Sequence, residues 1–191
     1  AITPDDLHPN DDGHELVASV IIHVLEQIRV SAGMEVKSDS GEAEKVPLTA
    51  NAYEDSIRYQ NDSAVFTANG FVADQDRQDG ITDIFKNGWT ANQKGATITF
   101  EVEGSCISVQ YRKTIKLPAP VAEVVIDDDS AHAVRLDANF DETWGDKLQL
   151  DTIAEHIEKG KHKVQITITE THETDQLPFY LVSVIASGKE K

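Results

Sequence analysis

The chain has 191 residues, enough for one large domain or one domain with part of a second. Its 34 acidic residues against 17 lysines and arginines give a formal charge of −17. A field of that sign repels phosphate backbones and anionic lipid, so nucleic acid and membranes are not expected partners, and a neutral sugar or ester fits better. Apolar residues make up 39 %, sufficient for a packed core, and no stretch reaches the roughly 20 apolar residues of a membrane span.

The first feature in the chain is the run Asp5-Asp6-Leu7-His8-Pro9-Asn10-Asp11-Asp12-Gly13-His14. A carboxylate three residues ahead of an imidazole supplies two thirds of a Ser-His-Asp hydrolase. The acid fixes the imidazole tautomer, and the free ring nitrogen takes the serine proton. The run opens a helix predicted over residues 10 to 29. Leu16, Val17, Val20, Ile21, Val24, Leu25 and Ile28 recur at helical spacing and mark a wide apolar stripe. Asn10 suits the N-cap, Asp11 and Asp12 complement the positive end of the helix dipole, and Pro9 keeps His8 extended. Arg29 and the segment Ser31-Ala32-Gly33 mark the stop.

Residues 34 to 50 are polar and acidic and read as a linker or an ordered crossing loop. From about residue 53 the period changes from 3.6 to 2. Ile98-Phe100-Val102, Ile107-Val109-Tyr111, Val134-Leu136 and Val164-Ile166-Ile168 alternate with polar partners, as half-buried strands do. Residues 121–126 and 179–186 are more continuously apolar and suit central strands. Gly104-Ser105, between two alternating runs, predicts a tight hairpin. A short helix is predicted near Leu150 to Ile157, ahead of Gly160. About eight short strands punctuated by glycine, with almost no helix after residue 50, predict a mainly β fold. Its form is an antiparallel, jelly-roll-like β-sandwich preceded by one amphipathic helix. The expected organisation is residues 1–33 as a helical remnant, 34–50 as linker and 51–191 as the sandwich.

Several residues compete for chemical roles. Cys106 is the only cysteine and lies in an alternating apolar run, where an inert buried thiol is expected. The acidic runs 74–80 and 127–129 have the flavour of calcium loops. Their spacing departs from the ligand pattern, so solvated acidic turns are expected and no metal or cofactor is assigned. His132, His156, His162 and His172 show no ligand spacing. An exposed indole stacks on the apolar face of a pyranose, which makes both tryptophans ligand-binding candidates. Trp89, after Gly88 and beside an apolar run, reads first as a packing residue. Trp144, among Asp141, Glu142, Gly145 and Asp146, divides evenly between an exposed platform and packing.

The extended block Asp5-x-x-His8-Pro9-Asn10-x-x-Gly13-His14 resembles the last conserved block of the SGNH (GDSL-type) hydrolases, which closes the catalytic domain and leads into its final helix. The resemblance implies Asp5 as the triad acid and His8 as the general base; Asp6 stands where that block often has glycine. It covers only about residues 1 to 30. No Gly-Asp-Ser or Gly-Gly-Ser nucleophile motif occurs, and Asn61-Asp62-Ser63 lies downstream of the histidine block, in the wrong order. Segments 82–90, 118–126, 139–147 and 178–183 resemble the β-sandwich modules appended to some bacterial SGNH esterases, carbohydrate esterases among them. The resemblance therefore implies the C-terminal part of an ester hydrolase acting on acylated carbohydrate, with an upstream part of the same hydrolase as partner. The chain by itself would be inactive for want of the serine. A non-catalytic carbohydrate- or protein-binding module is the alternative, as is a structural domain forming a homo-oligomer through the helix or the sandwich. Nothing resembling a signal segment is visible, and the cytoplasm is the expected compartment, although the true N-terminus is not seen.

Overall fold

The computed structural model describes residues 2–4, 8–33, 53, 55–80 and 83–188. The chain divides into two compact units, Ala1–Val46 and Pro47–Lys191. The residues expected to form the linker, 34–50, lie outside the described ones.

Among the described residues of the first unit a single helix, α1, spans Asp11–Ser31. Asn10 caps it with an extended backbone, and its side-chain oxygen accepts from the Gly13 amide at 3.0 Å. Ala32 forms the C-cap, and Gly33 takes up the left-handed conformation (φ +60°) that ends many helices. The helix thus runs two residues past the expected end, because Arg29 and the closing turn extend it up to the glycine. The predicted stripe is present as a surface: Leu16 is 50 % exposed, Leu25 58 % and Ile28 57 %.

The second unit is a β-sandwich. Its strands are β1 (Ile57–Tyr59), β2 (Phe66–Asn69), β3 (Val72–Ala73), β4 (Trp89–Ala91), β5 (Thr97–Gly104) and β6 (Cys106–Lys113). They continue as β7 (Val121–Ile126), β8 (Val134–Asp137), β9 (Lys147–Ala154), β10 (Gly160–Glu170) and β11 (Phe179–Ser187). A 3₁₀ turn, Ser130–His132, separates β7 from β8. One sheet runs β3-β4-β11-β6-β9, with β1 also pairing to β11; the other runs β2-β5-β10-β7-β8, and every ladder is antiparallel. The alternation read in the sequence is the reason. Ile98, Phe100 and Val102 from β5 meet Val164, Ile166 and Ile168 from β10 across one core with Ile107, Val109, Phe179 and Leu181 from the facing sheet. The mainly β sandwich preceded by one helix is the fold expected, and residues 121–126 and 179–187 are interior strands, as their apolar content required.

Two local expectations are corrected. Residues 150–157 are not helical: β9 runs through Ala154 and pairs with β6, Val109 opposite Asp151 and Tyr111 opposite Gln149. The open edge of β6 offers a ladder of backbone partners, and that tertiary demand overrides a weak local helix preference. Nor do Gly104 and Ser105 form a hairpin, since β5 and β6 belong to different sheets. They make a corner between the layers. The Ser105 amide donates to the Ser187 carbonyl at 2.8 Å, and a Cβ on Gly104 would lie 2.5 Å from that same oxygen.

Candidate functional site

His8 sits just ahead of α1 and is exposed. The backbone beside it is fixed from both sides. The Asn10 amide donates to the Ile2 carbonyl at 3.0 Å, while the Asn10 carbonyl accepts from His14 at 2.9 Å. Gly13 is buried where the segment folds back; a Cβ there would stand 2.5 Å from the Ile2 carbonyl oxygen and 2.8 Å from Pro9 Cβ. The glycine of the block therefore serves close packing, and Asn10 serves the cap. Both hold the turn that presents His8 beside a shallow hollow of about 290 Å³ lined by Pro4, His8, Pro9 and Asn10. Asp5, the expected partner acid, lies outside the described residues.

Trp144 lies in the loop between β8 and β9 and is 67 % exposed. Its ring stands edge-on against Phe140, with centroids 5.3 Å apart and planes at 90°. The Lys147 ammonium caps the Phe140 ring at 5.7 Å. An indole so supported leaves most of its surface to solvent on a braced loop, as a stacking platform requires. Trp89 is the opposite case. It is wholly buried, edge-on to Phe66 and Phe100 at 5.2 and 5.1 Å, and leaves no ring face for a sugar. Its Nε1–H has no hydrogen-bond partner among the described residues. The packing reading of Trp89 is the one that agrees with its position.

The acidic runs are tied into the protein. Asp74 accepts from the Tyr180 hydroxyl at 2.5 Å and from the Asp76 amide at 2.9 Å, and Asp76 pairs with Lys86 at 3.0 Å. Burial and the Asp74 hydrogen bond push the Tyr180 phenol well above its usual range. Among the described residues no group of three or more His, Cys, Asp or Glu side chains is placed to hold a metal ion. Cys106 is buried.

A second acid–imidazole pair escaped the sequence reading. His162 Nδ1 lies 2.6 Å from Asp127 Oδ2, and its Nε2 lies 2.7 Å from the Glu158 carbonyl oxygen. Carboxylate and carbonyl are both acceptors, so the arrangement favours the protonated ring, in which both nitrogens donate. Burial alone would lower the imidazole pKa; the hydrogen bonds to Asp127 and Glu158 outweigh it and raise the value above the ordinary one. Burial would likewise raise the Asp127 pKa, but donation from His162 and from the Lys163 amide brings it below the usual carboxylate value. The signal was available: His162 shares the parity of Val164, Ile166 and Ile168 along β10, all facing inward. Asp127 and Asp128 hold φ values of 53° and 61°, a conformation that turns the chain back towards β10.

Neither a protein-family model nor a curated protein matches the chain. Solved structures do. A two-domain esterase (CEX) active on acetylated mannans, co-crystallized with mannopentaose, is 60 % identical with a TM-score of 0.82, over 100 % of this chain and 50 % of that one. A second structure of a two-domain esterase (CEX) active on acetylated mannans is 59 % identical with the same TM-score of 0.82, over 99 % of this chain and 50 % of that one. A family two carbohydrate esterase from Cellvibrio japonicus is more distant, at 14 % identity and a TM-score of 0.49, covering 70 % of this chain and 33 % of that one. The chain thus spans half the length of these two acetylated-mannan esterases, and the resemblance to part of an esterase joined to a β-sandwich is borne out.

Proposed function

We infer that this chain, homologous throughout to one half of a two-domain esterase, is the C-terminal region of a serine esterase that removes acyl groups from carbohydrate. The observation that carries the reading is the 60 % identity over the whole chain, histidine block and sandwich together. In this reading residues 1–33 close the hydrolase domain, 34–50 link, and 51–191 form the sandwich. The upstream part of the same protein supplies the serine and the oxyanion donors. His8 takes the serine proton as the hydroxyl attacks the ester carbon, then returns it to the leaving sugar oxygen; Asp5 fixes the tautomer and balances the imidazolium. Acetylated mannan, on which the solved relative acts, is the favoured substrate class. The charge of −17 is compatible with a neutral polysaccharide and unsuited to a polyanionic one.

The sandwich contributes Trp144. An exposed indole on a braced loop supports a stacking contact with a pyranose face, worth about 1 kcal/mol or somewhat more by analogy with aromatic pairs. The apolar stripe of α1 supports a further contact, with the upstream hydrolase part, because each large side chain left in water forgoes about 1.5–3 kcal/mol of burial.

The test is acetate release from acetylated mannan by the full-length protein. His8→Ala should lower kcat by about 10⁴-fold or more. Trp144→Ala should raise KM with little change in kcat, and activity untouched by His8→Ala would sink the catalytic reading. The observation favouring a second reading, a non-catalytic sugar-binding module, is the same exposed Trp144. That reading would gain if mannopentaose bound normally while His8→Ala changed nothing.

A further inference from the structure

The loop that carries Trp144 is anchored at both of its ends to one buried residue, Thr114, which is 2 % exposed and follows the last residue of β6. At the start of the loop the Thr114 amide donates to the Ala138 carbonyl at 2.8 Å, and the Thr114 carbonyl accepts from the Phe140 amide at 3.0 Å, closing a single bridge opposite Asn139. At the far end the Thr114 hydroxyl lies 2.7 Å from Asp146 Oδ1. That hydroxyl also accepts from the Lys116 amide at 3.1 Å, so its one proton points to the carboxylate. The Ile115 amide approaches the same oxygen at 3.3 Å, and Arg112 Nε stands 3.8 Å from the other, Oδ2. Arg112 itself lies over the rings of Phe85 and Tyr180, at 5.9 and 5.5 Å.

We propose that Thr114 is a positioning residue for sugar recognition: through Asp146 and the Phe140 backbone it fixes the loop on which the Trp144 indole stands, ready to stack on a pyranose. The inference rests on the reading of Trp144 as a sugar platform. Its physical basis is preorganisation. An aromatic side chain on an untethered loop must be ordered when the sugar arrives, and that cost is removed when the loop is already pinned. Trp144 has one further support within the loop, its edge contact with Phe140, whose own backbone hangs on Thr114. A hydroxyl residue suits the position, because its oxygen closes the loop through Asp146 from a buried site.

The test uses the full-length protein labelled with 5-fluorotryptophan, the Trp144 resonance being the one lost in Trp144→Phe. Thr114→Val keeps the shape and backbone bridge but removes the hydroxyl; Asp146→Ala removes its acceptor from a more exposed site and serves if the buried variant fails to fold. Either variant should move and narrow the Trp144 resonance and weaken mannopentaose binding by about tenfold, while Thr114→Ser restores both. An unshifted Trp144 resonance in the variants, with Trp144→Ala still losing the sugar, overturns this inference and leaves the platform standing. Wild-type affinity in Trp144→Ala overturns the platform, and the inference with it.

Discussion

At the scale of single residues, the His162 ring, held between Asp127 and the Glu158 carbonyl, makes the fold sensitive to pH in a defined direction. Its folded pKa lies above the ordinary 6.5, so its contribution is complete below that value and is lost as pH rises through the folded one. Asp127 works the other way: its pKa is below the usual 3.8, so its contribution is present above that value and lost as pH falls through the folded one. The pair is therefore strongest from above about pH 4 to about pH 6.5. Thermal unfolding should show stability declining from pH 6 towards pH 8, and Asp127→Asn should flatten that slope. The effect should be about 1 kcal/mol or less, because Asp127 is half exposed. Identical slopes in the two proteins would show that the pair carries no such linkage. The contrast with His8 explains what a sequence displays at this scale. Asp5 and His8 sit within one short motif whose spacing is itself the signal, whereas Asp127 and His162 are 35 residues apart and meet only through the pairing of β7 with β10.

At the scale of elements, alternation and capping were legible because they are local. The strands through Ile98–Val102, Ile107–Tyr111 and Val164–Ile168 and the Asn10 cap lie where the side-chain periods put them. What stayed hidden was the choice of partner. A short apolar run before Gly160 fits a helix until the free edge of β6 is known, and Gly104-Ser105 fits a hairpin until its flanking strands are seen in different sheets. The glycines record these choices. At Gly88 a Cβ would stand 2.2 Å from the Leu181 carbonyl oxygen and 2.6 Å from the Tyr180 ring, so the turn into β4 lies directly on β11. Gly88→Ala should destabilise the sandwich by about 1–3 kcal/mol through forced backbone displacement. Gly80, with nothing among the described residues within 4 Å of its Cβ position, should accept alanine with little effect. Denaturant unfolding of the two variants compares them directly; equal stability would mean that the β4–β11 approach is easily relaxed.

At the scale of the whole molecule, the fold class was readable from the change of period near residue 53, and the esterase relationship from one short block. Which tryptophan the packing leaves uncovered was not: Trp89 and Trp144 are separated by burial, which no local pattern decides. The proposed division of the chain makes its own prediction. Residues 51–191 expressed alone should give a β-type circular dichroism spectrum and one cooperative melt, because the core lies entirely within that span. A non-cooperative melt would count against the division. One pairing carries a wider consequence. In the six-stranded sheet Ile57 lies opposite Ala186, so the first and last strands of the sandwich run side by side and its two ends leave close together. A body with adjoining ends is portable. It should tolerate being cut open at a distant turn and rejoined where β1 meets β11, or being spliced whole into the surface loop of an unrelated host.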